Sequence, residues 1–157
     1  MQKRIIGESR LDTAYLTTPE LNLEELADVE VSSEDSQHPI EAALLPGYTL
    51  GWRASTPGKQ AIRLLFKQAQ PVMSIQLDFL ESAVARTQEY LVRVSPDNGQ
   101  SYVEIVRQQW NFNPQGCTAA SEQHLVEFPA VSIIELHITP DINDSSVFAS
   151  LEKMRVF

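Results

Sequence analysis

Apolar and polar residues alternate with a period of two along much of the chain. Such alternation places the apolar side chains on one face of a strand and the polar ones on the other. A further strand is predicted at the end of the sequence, from Leu151 to Phe157. The alternation itself is clearest in four segments, each predicted to form a strand with one buried face: Ile62–Phe66, Met73–Phe79, Tyr90–Val94 and Ile134–Ile138.

Turn-forming residues separate the predicted strands. Proline, glycine, asparagine and aspartate supply the fixed φ, or the tolerance of positive φ, that a tight reversal requires. No long helical period lies between the strands, so a parallel α/β sheet is not expected. Many short strands with turns between them are typical of an all-β sandwich or barrel. The turn segments are Pro57-Gly58, Pro96–Gly99, Asn113–Gly116 and Pro140–Asp144.

The first part of the chain has a mixed pattern. We interpret residues 1–27 as an N-terminal extension packed on the body, and residues 28–157 as one folded domain. Within the extension, Thr18-Pro19-Glu20 predicts the start of a short helix that runs to Leu26. Threonine is a good N-cap residue, and proline suits the first helical turn.

Composition limits the partners that the protein is expected to bind. The formal net charge of -9 opposes attraction to nucleic-acid phosphates and to anionic membranes, so neither is an expected partner. The single cysteine, Cys117, permits no intrachain disulfide. No apolar run reaches the roughly 18 residues of a membrane helix. Residues 1–8 lack the apolar stretch of a signal peptide, which favours a cytoplasmic location.

Several short motifs, taken in order, resemble the discoidin, or F5/8 type C, family of galactose-binding-domain-like proteins. The resemblance implies an all-β fold, an antiparallel jelly-roll β-sandwich with short helical turns. Such domains bind carbohydrate, lipid headgroup or protein through loops at one end. The motifs are Val31–Asp35 with His38–Leu44, Gly51–Ala54, Val94–Tyr102 and Leu151–Phe157.

The same resemblance extends to the amino-terminal domain of a single-strand-break repair scaffold. The segment Trp52-Arg53-Ala54 is similar to a tryptophan-arginine-alanine segment in that domain. That relative acts through a protein partner, so the resemblance implies protein binding as an alternative to carbohydrate binding.

Metal sites are not expected. Many carbohydrate-binding members of the discoidin family hold a calcium ion with an aspartate in the loop before the tryptophan, but the loop Leu45–Leu50 contains no acid. The three histidines and the cysteine are not at ligand spacing. Residues 141–152 partly resemble an EF-hand loop, but Ser146 stands where glycine is required. The sequence therefore predicts no metal and no cofactor.

Polar residues at one end of a predicted hairpin form the candidate ligand-binding site. If Glu89–Ser95 and Tyr102–Gln108 pair around their turn, antiparallel pairing brings the residues before the first strand close to those after the second. Guanidinium and amide groups beside an indole suit a sugar ring or a peptide. The predicted ligand-binding residues are Arg86, Gln88, Arg107, Gln109, Trp110 and Asn111.

A structural interpretation of the same residues is also open. Arg86 pairs with Glu89 or Glu81 in that interpretation, and Trp110 caps the core. Trp52 is expected inside the protein.

A non-catalytic binding module is the leading hypothesis, because no spacing places two carboxylates together for catalysis. The expected ligand is a carbohydrate or another small polar molecule, bound by loops at one end of the sandwich. The alternative is an intracellular protein-protein interaction module.

Overall fold

The computed structural model describes residues 18–157. That range contains two short helices, α1 (Leu23–Leu26) and α2 (Glu41–Leu44), and eight strands. Every pairing between these strands is antiparallel, which confirms the predicted all-β class. The strands are β1 (Ala27–Val31), β2 (Trp52–Pro57), β3 (Gln60–Leu80), β4 (Arg86–Ser95), β5 (Val103–Phe112), β6 (Ala119–Thr139), β7 (Phe148–Leu151) and β8 (Lys153–Val156).

Two long strands, β3 and β6, form the centre of the fold. They pair along most of their length, from Gln60 opposite Ile138 to Leu80 opposite Ala119. The first half of β3 also pairs with β1, and its second half pairs with β8. The second half of β6 pairs with β4, which in turn pairs with β5. Strands β2 and β7 form a separate two-stranded sheet.

The two halves of β3 and β6 belong to opposite layers of a sandwich. Register shifts interrupt the pairing between Leu65 and Ser74. Beyond this interruption, the ring of Phe79 in β3 stacks on that of Tyr90 in β4, with centroids 5.2 Å apart. Because β6 lies between β3 and β4 in the sheet, a flat sheet would hold these rings about 9 Å apart or more. The rings therefore meet face to face across the core, as in the predicted sandwich.

The core lies between these layers and follows the predicted alternation. In β3, Ile62, Leu64 and Phe66 are buried, as are Ile75, Leu77 and Phe79. Trp52 is 1% exposed and donates a hydrogen bond from Nε1 to the carbonyl oxygen of Ser33 at 3.0 Å. The prediction that Trp52 packs inside is therefore confirmed.

Met73 departs from the predicted pattern. It was expected on the buried face of β3, yet it is only half-buried, and its neighbour Ser74 is fully buried. The cause is the register shift between Val72 and Ser74, which changes the faces that successive side chains occupy.

The described part of the predicted extension, residues 18–27, contacts the body. The backbone N–H of Leu21 donates to the carbonyl oxygen of Val156 at 2.8 Å, and the Leu23 side chain enters the core. The predicted helix start at Thr18 is wrong, because α1 begins at Leu23, after this extended contact with β8. Residues 1–17, the rest of the predicted extension, lie outside the described residues. Within residues 18–157, no helix is long and apolar enough to cross a membrane.

Candidate functional site

Several connecting segments lie together at one end of the sandwich, which we call the loop end. The backbone N–H of Glu81 donates to the carbonyl oxygen of Thr118 at 2.7 Å. The backbone N–H of Ile142 donates to the carbonyl oxygen of Thr87 at 2.9 Å. The start of β4 and the end of β5 also lie here, since Arg86 is opposite Phe112. The loop end comprises residues 32–40, 81–85, 113–118 and 140–147.

The hairpin of β4 and β5 has the pairing that the sequence predicted. Gln88 lies opposite Trp110, and Thr87 lies opposite Asn111. Successive residues of a strand point to opposite faces, so the six predicted ligand-binding residues are divided between two surfaces. Arg86, Gln88 and Trp110 are on the inner face, whereas Arg107, Gln109 and Asn111 are on the outer face.

Arg86 lies inside the protein, with a side chain that is 0% exposed. Its Nη1 donates to the carbonyl oxygen of Pro140 at 3.2 Å and its Nη2 to Oγ of Ser150 at 3.4 Å. Its Nε lies 3.2 Å from Oε1 of Glu81, and the guanidinium lies over the ring of Phe112. Burial lowers the pKa of Arg86, while Glu81 opposes that shift. Arg86 therefore connects several segments of the loop end. It pairs with Glu81, one of the two expected partners, but inside the protein and not at the surface as expected.

Gln88 and Trp110 also turn inward. Gln88 is 0% exposed, and neither atom of its amide has a hydrogen-bond partner among the described residues. Trp110 is half-buried against the core, and its Nε1 donates to Sγ of Cys117 at 3.3 Å. In this structure Arg86 and Gln88 do not reach the surface, so the six predicted residues do not form one open site.

The three outer-face residues are exposed, but their polar groups contact neighbouring side chains. Arg107 Nη1 donates to Oε1 of Glu89 at 2.9 Å, and Gln109 Nε2 donates to Oε2 of the same residue at 3.1 Å. These hydrogen bonds, first that from Gln109 and then that from Arg107, lower the pKa of Glu89. Oδ1 of Asn111 accepts a hydrogen bond from Thr87 at 2.7 Å.

A shallow depression at the loop end contains functional groups that the sequence did not bring together. We call it the Arg53–Phe148 depression; its volume is about 450 Å³. Phe148 is 38% exposed, and the guanidinium carbon of Arg53 lies 5.9 Å from the centre of its ring. An aromatic ring and a cation therefore lie side by side at the surface. The lining residues are Glu34, Asp35, Ser36, Arg53, Ala54, Ser55 and Phe148.

Main-chain hydrogen bonds fix one wall of the depression. The N–H of Asp35 donates to the carbonyl oxygen of Arg53 at 2.8 Å. The N–H of Arg53 in turn donates to the carbonyl oxygen of His38 at 3.1 Å. The N–H of His38 closes the turn by donating to the main-chain carbonyl oxygen of Asp35 at 2.9 Å. Oδ1 of Asp35 accepts from the N–H of Gln37 at 3.0 Å, an arrangement typical of an Asx-turn. The wall is therefore preorganised around the Asp35 carboxylate.

Strand pairing accounts for the position of Phe148. The small sheet of β2 and β7 places Pro57 opposite Phe148 and Arg53 opposite Ser150. Arg53 and Phe148 are far apart in sequence, and no turn or local motif predicts that β2 pairs with β7. The one sequence signal is a phenylalanine after the turn at Pro140–Asp144, and a single apolar residue there does not predict a binding site.

A row of alternating charges crosses the outer face of the larger sheet. Arg63 and Arg93 lie on either side of Glu135, and the row ends with a carboxylate on each edge strand. The outer face is therefore held together by internal ion pairs, which leaves its central charges neutralised. From β1 to β5 the row is Glu30, Arg63, Glu135, Arg93 and Glu104.

Glu135, at the centre of this row, is a buried carboxylate. Burial alone would raise its pKa, but hydrogen bonds from His137, Tyr102 and Arg93 outweigh burial and hold the pKa at about 2. Nε2 of His137 lies 2.8 Å from Oε2 of Glu135. A carboxylate held in its charged form at such a low pKa is unsuited to act as an acid or base near neutral pH.

Residues that could hold a metal are dispersed. Within residues 18–157, no group of three or more histidine, cysteine, aspartate or glutamate side chains is placed to hold a metal ion. His124 instead lies beside Tyr90, with 2.8 Å between Nε2 and the hydroxyl oxygen. The absence of a metal and of a cofactor stays a prediction.

Solved structures with the same fold include carbohydrate-binding modules. A pectin-binding module matches with a TM-score of 0.61 and 14% identity, over 84% of this chain and 90% of that chain. The family 32 module of NanJ from C. perfringens, in complex with galactose, matches with a TM-score of 0.59 and 18% identity, over 87% and 96%. Chitosan-binding module 1 from Paenibacillus sp. IK-5 matches with a TM-score of 0.61 and 18% identity, over 87% and 98%. Identities this low identify the fold alone, and they confirm the galactose-binding-like β-sandwich.

Sequence comparison identifies the family. No curated protein matches the chain. The family model described as XRCC1 N terminal domain matches residues 18–135, well over half of the chain. The matched range includes β1 to β5, the wall formed by Asp35 and Arg53, and most of β6. The chain belongs to the XRCC1 N terminal domain family.

Proposed function

We propose that the protein is a non-catalytic binding module that recognises a carbohydrate through the Arg53–Phe148 depression. The observation that carries this proposal is the exposed ring of Phe148 beside the guanidinium of Arg53, in a depression that Asp35 also lines. An aromatic face, a cation and a carboxylate are the groups with which a binding site stacks on a sugar ring and bonds its hydroxyls.

Each group has a distinct task in this proposal. The C–H face of the sugar packs on Phe148, and its hydroxyls donate to the carboxylates of Asp35 and Glu34. Arg53 accepts no hydrogen bond, so it donates to ring or hydroxyl oxygens of the same sugar. The two carboxylates and the net charge of -9 disfavour acidic polysaccharides, so the expected ligand is a neutral or amino sugar.

Two further observations support the proposal. The depression lies at the loop end, and loops at one end of the sandwich are where discoidin-like domains are expected to bind. Modules whose descriptions state binding of pectin, galactose or chitosan share the sandwich architecture. Those descriptions concern other proteins; for this chain they support carbohydrate as a ligand class.

The experiment is a titration of the isotope-labelled full chain with galactose, N-acetylglucosamine and chitosan oligomers, followed by amide NMR. We expect shifts confined to the amides of Asp35, Arg53 and Phe148 and their neighbours. Phe148→Ala should weaken binding at least about tenfold, because it removes the stacking surface. Leu125→Ala is the matched control, since Leu125 is 44% exposed and does not line the depression. Absence of shifts with every sugar, or equal binding by Phe148→Ala, would overturn the proposal.

A protein partner is the second candidate, and the edge of β5 favours it. This ten-residue strand pairs only with β4 among the described strands, so its outer edge presents main-chain groups to a partner strand. It contains no proline, the residue that would block such pairing. Recovery of one partner in a stoichiometric complex, lost with Gln109→Pro but retained with Phe148→Ala, would select this candidate. Loss with Phe148→Ala alone would assign the partner to the depression instead.

A further inference from the structure

Strand β1 forms one edge of the larger sheet, and its outer side is open. Among the described strands it pairs only with β3. The N–H of Ser32, which follows β1, donates to the carbonyl oxygen of Ala61 at 3.0 Å, in the same register. Because hydrogen-bonded pairs alternate along an antiparallel ladder, the main-chain groups of Val29 and Val31 point away from β3.

These outward groups have no partner among the described residues. The N–H of Ala27, which also points outward, closes α1 by donating to the carbonyl oxygen of Leu23. No described main-chain group bonds to the outward groups of Val29 or Val31. Both residues are half-buried, and main-chain groups withdrawn from water normally have partners. The strand contains no proline, so its edge can accept an added strand.

A small apolar pocket lies beside this edge. Its volume is about 190 Å³. Pockets for small-molecule ligands are typically about 300–1,000 Å³, so this one suits a single apolar side chain. Strand addition uses such pockets to select alternate side chains of the added strand. We call the outer edge of β1 and this pocket together the β1 cleft; its apolar lining includes Leu23, Val29, Leu44 and Leu64.

The β1 cleft lies in the most acidic part of the chain. Glu24, Asp28 and Glu41 line its pocket, and all three are exposed. Within residues 18–157, none of these carboxylates has a lysine, arginine or histidine as an ion-pair partner. Between residues 20 and 41 the sequence has eight aspartates and glutamates but no lysine or arginine. Electrostatic complementarity therefore requires a positively charged partner.

The same carboxylates disfavour a second copy of the chain as the partner. Antiparallel pairing of two β1 strands would bring Asp28 and Glu30 close to the same residues of the other copy. Like charges on neighbouring strands destabilise their pairing, and charged side chains on an edge strand protect it from self-association.

We propose that the β1 cleft binds an extended segment of a partner protein in which lysine or arginine alternates with apolar residues. The segment adds a strand to β1 through the outward main-chain groups of Val29 and Val31. Successive side chains of a strand point to opposite faces, so one apolar side chain enters the pocket while the basic ones lie beside Asp28 on the outer face.

The proposal is independent of sugar binding. The pocket of the β1 cleft and the Arg53–Phe148 depression share no lining residue. It is also separate from the edge of β5, because β1 and β5 lie at opposite ends of the strand order. Failure of either surface in its own experiment therefore leaves the other untouched.

The test is a titration of the isotope-labelled full chain with the synthetic peptide acetyl-Lys-Val-Lys-Leu-Lys-Val-Lys-amide, followed by amide NMR. We expect the largest shifts at Val29 and Val31, and slower solvent exchange of these two amides once they have acceptors. The peptide with glutamate in place of every lysine should bind at least about tenfold more weakly. Equal affinity for the two peptides, or shifts confined to the depression or to β5, would overturn the proposal.

Asp28→Lys and Glu104→Lys form a matched pair for the charge. Both side chains are exposed, and the two substitutions change the net charge equally, but Glu104 lies on β5 at the opposite edge of the sheet. Asp28→Lys should weaken binding of the lysine peptide at least about tenfold, and Glu104→Lys should weaken it much less. Equal weakening would reduce the effect to net charge and would contradict the assignment to β1.

Val29→Pro tests the main-chain part of the proposal. It removes an outward N–H without removing a bond to β3, and it should abolish the slowed exchange and weaken binding at least about tenfold. Gln109→Pro, on β5, is its control and should bind the lysine peptide like the wild type. Unchanged binding by Val29→Pro would contradict strand addition. Concentration-dependent shifts at Val31 without peptide would assign the edge to a second copy instead, and would also contradict the proposal.

Discussion

Arg93 and Glu135 lie opposite each other on β4 and β6, and the arginine donates two hydrogen bonds to one carboxylate oxygen. Nε and Nη2 of Arg93 lie 3.0 and 2.9 Å from Oε2 of Glu135, whose side chain is 1% exposed. Arg63 approaches the other oxygen, with 3.2 Å between its Nη2 and Oε1. A buried carboxylate between two guanidinium groups is stable only when charged. The arrangement therefore couples three neighbouring strands to the ionisation of one group.

Glu135→Gln should destabilise the protein in a pH-dependent way. The pKa of Glu135 is about 2 in the folded protein and 4.5 ordinarily, so its contribution is present above pH 4.5 and lost as the pH falls through 2. At neutral pH, we expect the variant to lose on the order of 3 kcal/mol of unfolding free energy. The gap between wild type and variant should narrow below pH 4.5. Urea denaturation across this pH range measures it.

Glu104→Gln is the matched control for that experiment. Glu104 belongs to the same charged row, but its side chain is 55% exposed. Exposed ion pairs contribute little to stability, so this variant should follow the wild type at every pH. A gap for Glu135→Gln that stays constant from neutral pH to pH 2 would contradict the role assigned to its ionisation.

Arg86→Met tests whether Arg86 supports the loop end from inside. Removal of the guanidinium leaves Glu81 without its cation and the carbonyl oxygen of Pro140 without its donor. We expect a loss of about 3 kcal/mol in unfolding free energy, as is typical when one partner of a buried pair is removed. Chemical denaturation provides the measurement. Arg86→Met/Glu81→Gln should recover part of the loss; no recovery would show that Glu81 is not the relevant partner.

The contrast between the predicted and observed positions of Arg86 and Gln88 has a simple origin. The alternation that placed Tyr90, Val92 and Val94 on one face of β4 also places Gln88 and Arg86 on that face, two and four residues before Tyr90. Their polarity suggested exposure, whereas the period of the strand requires burial. The sequence therefore contained enough information to place these two side chains, but not to identify Pro140 and Ser150 as the partners of Arg86.

Other features could not be predicted from local patterns. The strand alternation in β3, the turn at Pro96–Gly99 and the register of the β4–β5 hairpin follow from sequence, because each depends on residues close together in the chain. The meeting of Arg53 and Phe148 depends on pairing between β2 and β7, which have no sequence signal for each other. The burial of Glu135 likewise requires cations from two other strands. Pairing between strands far apart in sequence therefore determines both the Arg53–Phe148 contact and the environment of Glu135.

We expect the ammonium group of Lys153 to hold the loop of residues 45–50, before Trp52, in place of a metal ion. Its Nζ donates to the carbonyl oxygen of Ala42 at 2.9 Å and to that of Tyr48 at 3.4 Å, so an ammonium group joins the two sides of this loop. Lys153→Met should lower the unfolding free energy by about 1 kcal/mol and increase amide exchange in residues 45–50. Arg155→Met, an exposed neighbour on β8, should change neither.

Calcium provides the complementary test of this loop. Because the Lys153 ammonium already satisfies these carbonyl groups and the loop has no acid, added calcium or a chelator should leave Tm unchanged. A rise in Tm with calcium would show a metal site that the sequence and the side-chain arrangement did not predict.

Gly51→Ala should disturb both the stability and the proposed sugar site. A β-carbon at Gly51 would lie 2.3 Å from the carbonyl oxygen of Leu151 and 2.6 Å from Cα of Glu152. Both are backbone atoms, so the strand that continues into Trp52 and Arg53 must shift. We expect a loss of about 2–3 kcal/mol, as for overpacking in a core, together with weaker sugar binding through displaced Arg53. Gly116→Ala is the control, because nothing lies within 4 Å of a β-carbon there. Denaturation and sugar titration of both variants measure the difference; a fully stable Gly51→Ala with unchanged affinity would show that this close approach does not position Arg53.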